Sequence, residues 1–131
     1  LIEIGNDVTI SFNVTFINHD GGTWAFRDID EYNDVIKYGR IRVGDRSFIG
    51  CNAIIMPGVT IGSNVIIGSH SVVTKDVEDN SVVAGIPAKR IKSIDKFISE
   101  CKNSPYLMPI KNMEQFQKKE YIIKNRSELL K

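Results

Sequence analysis

Hydrophobic positions recur along this chain at intervals of six. Val43, Ile49, Ile55, Ile61, Ile67 and Val73 fall in strict register, each aliphatic and β-branched. Val and Ile make up about a quarter of the chain, so such a run arises by chance roughly once in a thousand over all registers. A glycine follows the aliphatic residue at Gly44, Gly50, Gly62 and Gly68, and four residues after each aliphatic comes a small or β-branched side chain: Ser47, Ala53, Val59, Val65, Ser71 and Val77. The register also appears earlier, as Ile4, Ile10 and Phe16 with Val8 and Val14 at the second site. An amphipathic helix needs a period near 3.6 and a continuous strand a period of two. A period of six predicts short strands joined by corners, with residues that tolerate left-handed backbone at Asn52, Asn64 and His70. Three such hexads per turn stack into an 18-residue coil whose inward aliphatics form a continuous core: an all-β solenoid, a parallel β-helix.

Two stretches depart from the repeat. From His19 to Arg42 the register is lost across a polar excursion containing Gly21, Gly22, Trp24, Asp28, Asp30, Glu31 and Asp34. Long loops on rigid scaffolds are where function concentrates. Beyond Val77 the pattern relaxes into a last coil and exit over 81–91, so residues 1–93 form the β-helical domain with its excursion at 19–42. Residues 94–131 read as a helical extension: a short helix over Asp95 to Glu100, then a second opened by Asn112 as N-cap and running through Met113, Phe116, Glu120 and Ile123, with Pro105 and Pro109 between them. Covering coil surface is the role expected of it.

Composition narrows the class. With 131 residues, 42% hydrophobic and 25% charged, the chain has the balance of one folded domain rather than a fibrous or disordered one. No apolar run reaches the roughly 18 residues of a membrane span. Cys51 and Cys101 make no disulfide framework, and the opening Leu1-Ile2-Glu3-Ile4 lacks a signal-peptide pattern, so a reducing cytoplasm is expected. Because the chain begins inside a strand-like pattern, further sequence upstream is expected as well. The net charge of +1 conceals an asymmetry, with 6 Lys/Arg against 11 Asp/Glu in residues 1–88 and 11 against 5 in residues 89–131. A basic end suits phosphate-bearing ligands or a solvated helical face. Without an aromatic ladder or zinc-finger spacing it does not point to nucleic acid.

The segments 55–62 (Ile-Met-Pro-Gly-Val-Thr-Ile-Gly), 71–77 (Ser-Val-Val-Thr-Lys-Asp-Val) and 84–91 (Ala-Gly-Ile-Pro-Ala-Lys-Arg-Ile) resemble the hexapeptide-repeat acyltransferases, over about Ile4 to Lys92. The segment 16–24 is similar to the active-site segment of maltose, galactoside and capsular-polysaccharide O-acetyltransferases. The resemblance implies a left-handed coil, a homotrimer with sites between subunits, and direct transfer of an acetyl group from acetyl-CoA to a saccharide hydroxyl without an acyl-enzyme. His19 is then the general base, a task that suits an imidazole of ordinary pKa about 6.5. The group orienting it stays open among adjacent Asp20, the acids of the excursion and a backbone carbonyl. A backbone N–H near Gly50 or Cys51 is the candidate donor to the thioester oxyanion. Exposed backbone at Gly68 and Ser69 is the candidate contact for the pantetheine arm, Lys75, Lys89 and Arg90 for the phosphates, and Trp24 and Phe48 for the acceptor pocket. His70, at a corner position, reads as structural.

The basic helical tail favours the surface-polysaccharide branch. An N-acetyltransferase of an amino sugar uses the same base and thioester, and a non-catalytic scaffold uses neither. The zinc-dependent carbonic anhydrases of this scaffold need three histidines where the chain has two, so no metal is expected.

Overall fold

A computed structural model describes residues 1–104, 107 and 112–125. Pro105 and Pro109 lie outside them. The chain divides into two compact units, Leu1–Asp95 and Lys96–Lys131.

The first unit is a parallel β-solenoid. Short strands β1 (Ile2–Ile4), β2 (Thr9–Ile10) and β3 (Thr15–Phe16) make one coil. After the excursion, which holds a two-stranded hairpin of β4 (His19–Asp20) and β5 (Lys37–Tyr38), come β6 (Ile41–Val43), β7 (Phe48–Ile49) and β8 (Ile54–Ile55). The next coil is β9 (Thr60–Ile61), β10 (Ile66–Ile67) and β11 (Val72–Val73), and β12 (Ser81–Gly85) and β13 (Ala88–Ser93) close the stack. Three faces result: β1-β6-β9, β2-β7-β10-β12-β13 and β3-β8-β11. Pairing is parallel except for β12 with β13 and β4 with β5.

The sequence period becomes the register. Ile10, Ile49, Ile67 and Val83 stand above one another on the second face, and Phe16, Ile55 and Val73 on the third. Ile49, Ile55 and Ile67 are completely buried, each contributing about 1.5–3 kcal/mol of apolar transfer. Coils two and three are in 18-residue register, as Val43 with Ile61 and Ile55 with Val73. Ile4 pairs with Val43 across 39 residues, one coil plus an insertion of 21. Ile67 pairs with Val83 across 16, so the final coil is two residues short. The serines at second inward sites are satisfied: Ser47 Oγ donates to Gly62 O (3.0 Å) and accepts from Val65 N–H (3.1 Å), and Ser71 Oγ donates to Gly68 O (2.7 Å) and accepts from Gly85 N–H (3.1 Å).

The corners are left-handed. Asn52, Asn64 and His70 have φ of 55–58°, as the repeat predicts, and Asp7, Asn13, Arg46 and Asn80 join them at φ 52–58°. Side chains bond along the corner after the first face, with Arg46 Nε donating to Asn64 Oδ1 (2.9 Å) and Asn64 Nδ2 to Asn80 Oδ1 (3.0 Å). Gly50 must lack a side chain, because a Cβ there would sit 2.6 Å from the Ser69 nitrogen of the next coil.

Two expectations are corrected. The coil resumes at Ile41, not after Arg42: Ile41 is fully buried, pairs with Ile2, and occupies the second inward site six residues before Ser47. In the second unit, the N-cap of the last helix is Glu114, not Asn112. Helix α1 spans Ile94–Lys102, and α2 spans Gln115–Lys124. Gln117 Oε1 accepts from Glu114 N–H at 2.8 Å, the reciprocal half of a capping box, whereas Asn112 takes φ 64°. No helix among the described residues is long and apolar enough to cross a membrane.

Candidate active site

Inward residues Ile4, Ile10 and Phe16 place corners three residues later, at Asp7, Asn13 and position 19. The first two are left-handed; at His19 the chain instead leaves the coil as β4. The excursion departs after the third face and returns to the first, at the corner where Gly58 (φ 85°) stands in the following coil. Gly39 lies so close against the Gly58 backbone that a Cβ could not be accommodated, and its N–H donates to Asn18 O at 2.8 Å. These contacts pin both ends of the loop to the scaffold.

His19 is exposed at this corner. It pairs with Tyr38 across the hairpin, the rings 5.9 Å apart and tilted by 34°. The partner of its Nδ1 is Asn18, whose Oδ1 lies 2.9 Å away. Asp20 turns elsewhere. Adjacent strand residues face opposite ways, and Asp20 Oδ1 accepts from Gly22 N–H at 2.8 Å, which shapes the turn into a short 3-10 segment at Gly22–Phe26. Asn18 was legible only as an amide next to an imidazole.

Trp24 lies in that segment, exposed, with the Arg27 guanidinium 4.2 Å above its ring. The loop is closed internally by Thr23 Oγ1 donating to Val35 O and by Phe26 edge-on to Tyr32 at 5.2 Å. Phe48 projects outward from the second face, level with Ile66. In a triangular coil the corner between the third and first faces is opposite the second face, so one chain holds His19 and Phe48 on opposite sides.

The Gly50 N–H is engaged with Ile67 O (2.9 Å) and the Gly68 N–H with Val83 O (2.8 Å). Of the two oxyanion candidates, Cys51 is the one whose N–H is not taken up in this ladder; its carbonyl accepts from His70 N–H at 2.9 Å. Ser69 is exposed at the same corner. His70 Nε2 meets Asn52 Nδ2 at 3.2 Å, a rung of the corner ladder. Lys75 and Arg90 come together around a cavity of about 240 Å³ that Asp76 and Ser81 also line, and Arg90 makes a 3.7 Å ion pair with Glu78. Lys89, next to Arg90 on β13, belongs to the other side of that strand. Among the described residues no group of three His, Cys, Asp or Glu side chains could hold a metal ion.

Comparison with known proteins bears on this arrangement. The bacterial transferase hexapeptide (six repeats) family matches residues 40–75. Protein CapG of Staphylococcus aureus is 46% identical over 124 residues, 94% of this chain and 69% of the relative. Among solved structures, a maltose O-acetyltransferase from Clostridium difficile 630 is 41% identical with a TM-score of 0.62, covering 70% of this chain and 48% of that one. A galactoside acetyltransferase in complex with coenzyme A is 32% identical with a TM-score of 0.66, covering 82% and 50%. The chain thus spans about half the length of these two enzymes. With a period-six core, parallel three-faced coils and a relative 46% identical over 94% of this chain, the chain belongs to the bacterial hexapeptide-repeat transferases.

Proposed function

We propose that this chain carries the catalytic base of an acetyl-CoA-dependent O-acetyltransferase acting on a sugar of a bacterial surface polysaccharide, in the cytoplasm where acetyl-CoA is made. The observation that carries the reading is the exposed imidazole of His19, set where the repeat breaks and contacted at Nδ1 by Asn18. A sugar hydroxyl is a weak nucleophile near neutral pH. His19 takes its proton as the oxygen attacks the thioester carbonyl carbon. The carbon–sulfur bond then breaks, and the imidazolium gives that proton to the departing thiolate, leaving the acetylated sugar and free coenzyme A. The Cys51 N–H is the assigned donor to the oxyanion between these steps. Acetyl transfer is supported by the enzymatic activities named for the two solved relatives and by the coenzyme A bound in one of them. Polysaccharide biosynthesis rests on similarity to CapG.

The working unit in this reading is a homotrimer of left-handed coils with sites between neighbours. Its support is geometric: His19 is at one corner, whereas Phe48, Gly68 and Ser69 belong to the second face and the corner after it, so a pocket containing both groups requires two chains. Lys75 and Arg90 at their cavity are assigned to coenzyme phosphates, with Lys89 a weaker partner from the far side of β13.

The test is thiol release from acetyl-CoA in the presence of a panel of neutral sugars and amino sugars, with products read by mass. Acetyl gain on a hydroxyl, lost in His19→Ala, is the expected result. Transfer to amines alone would reassign the chain to N-acetylation, and turnover unchanged in His19→Ala would remove the base.

A further inference from the structure

Resting on the reading of His19 as the base, we propose that Asn18 is its positioning residue: the side-chain carbonyl holds a proton on Nδ1 and leaves Nε2 as the nitrogen that meets the acceptor hydroxyl. A neutral imidazole carries its proton on one ring nitrogen, and only the other can accept a second. The 2.9 Å contact of Asn18 Oδ1 with Nδ1 is favourable only while Nδ1 bears hydrogen. With Oδ1 rather than Nδ2 turned to the ring, the tautomer that places the lone pair on Nε2 is the one selected.

Asn18 is placed to do this firmly. Its neighbour Ile17 donates to Ile55 O at 2.9 Å, the last bond of the coil, and its own carbonyl accepts from Gly39 N–H at 2.8 Å where the excursion returns. Both ends of the insertion thus converge on the residue that holds the ring. The Tyr38 ring limits rotation from the opposite strand. The titratable groups around the imidazole on the two strands are Asp20, Lys37 and Tyr38, and the Asp20 carboxylate is engaged with Gly22. An amide orients the ring without the attraction that a carboxylate exerts on an imidazolium.

The experiment is nitrogen-15 NMR of the full chain labelled at histidine, paired with thiol release from acetyl-CoA for wild type, Asn18→Ala, Asn18→Asp and His19→Ala. The chain has two histidines; the signal lost in His19→Ala identifies position 19, and an unchanged His70 signal reports an intact coil. Wild type is expected to carry the proton on Nδ1 of His19, and Asn18→Ala to move toward the Nε2–H form with kcat falling about tenfold or more while KM for acetyl-CoA holds. Asn18→Asp should keep the tautomer and move both the His19 titration and the acidic limb of the rate profile about one unit higher. An Nε2–H form in wild type, or an Asn18→Ala chain with unchanged tautomer and rate, overturns the role of Asn18 while leaving the base in place. Undiminished thiol release by His19→Ala overturns the base, and with it any catalytic meaning of the Asn18 contact.

Discussion

The interior of the coil and the excursion follow opposite rules. Inside, Ile49 and Ile67 stack on one face and Ile55 stands on the next, all fully buried within one aliphatic cluster. In the excursion neither 3-10 segment buries a residue; it is held by a few side-chain contacts and by Asn18 and Gly39 at its ends. One region owes its form to repetition, the other to anchoring at a single corner. In the proposed reading, stability and chemistry are thereby separated in space, and substitutions in the two regions should fail in different ways.

The largest expected effect is on rate. His19→Ala should reduce acetyl-CoA-dependent thiol release by about 10²- to 10⁴-fold, with an unchanged melting temperature because the ring is exposed; a lowered melting temperature would mean that the corner supports the fold. Ile67→Ala should do the reverse, costing about 2–5 kcal/mol of unfolding free energy in denaturant titration while the folded fraction keeps its kcat. Replacing Lys75 and Arg90 together by Ala should raise KM for acetyl-CoA severalfold and flatten its dependence on salt, leaving kcat in place. The smallest effect concerns Glu3. The hydrogen bond from Arg42 (2.9 Å) and the nearby Arg40 lower its pKa below the ordinary carboxylate value. A depressed folded-state pKa means stabilisation that is present above the ordinary value and lost as pH falls through the lowered one. Glu3→Gln should therefore slightly reduce the loss of stability on acidification below about pH 4.5, measured as melting temperature against pH.

The ladder was legible because stacked coils must repeat the same inward residue, and a repeated residue is visible without any neighbour in space. Corners at Asn52, Asn64 and His70 were legible for the same reason, since those side chains suit left-handed backbone. Arg46 was not: arginine has no such preference, and only its bond to Asn64 shows why it is tolerated there. Ile41 was hidden because the first inward site of its hexad falls in the hairpin at Lys37, which erases the period just before the coil resumes. The position of His19 at the break could be read from spacing, but its partner could not. Five acids compete in the excursion sequence, and an Asx-type turn at Asp20 takes the nearest of them away. At the tail, Asn112–Gln115 and Glu114–Gln117 have the same spacing, and local backbone alone decides between them.

The shortened final coil and its antiparallel last strand have a consequence for assembly. A tube of parallel strands offers at its end a template on which another tube could add, and so on into a fibre. Here β13 reverses direction on β12, with Lys89, Arg90 and Lys92 along it. A newcomer at that rim would meet a strand of reversed direction carrying Lys89, Lys92 and the Glu78-paired Arg90, which disfavours end-to-end growth on the second face.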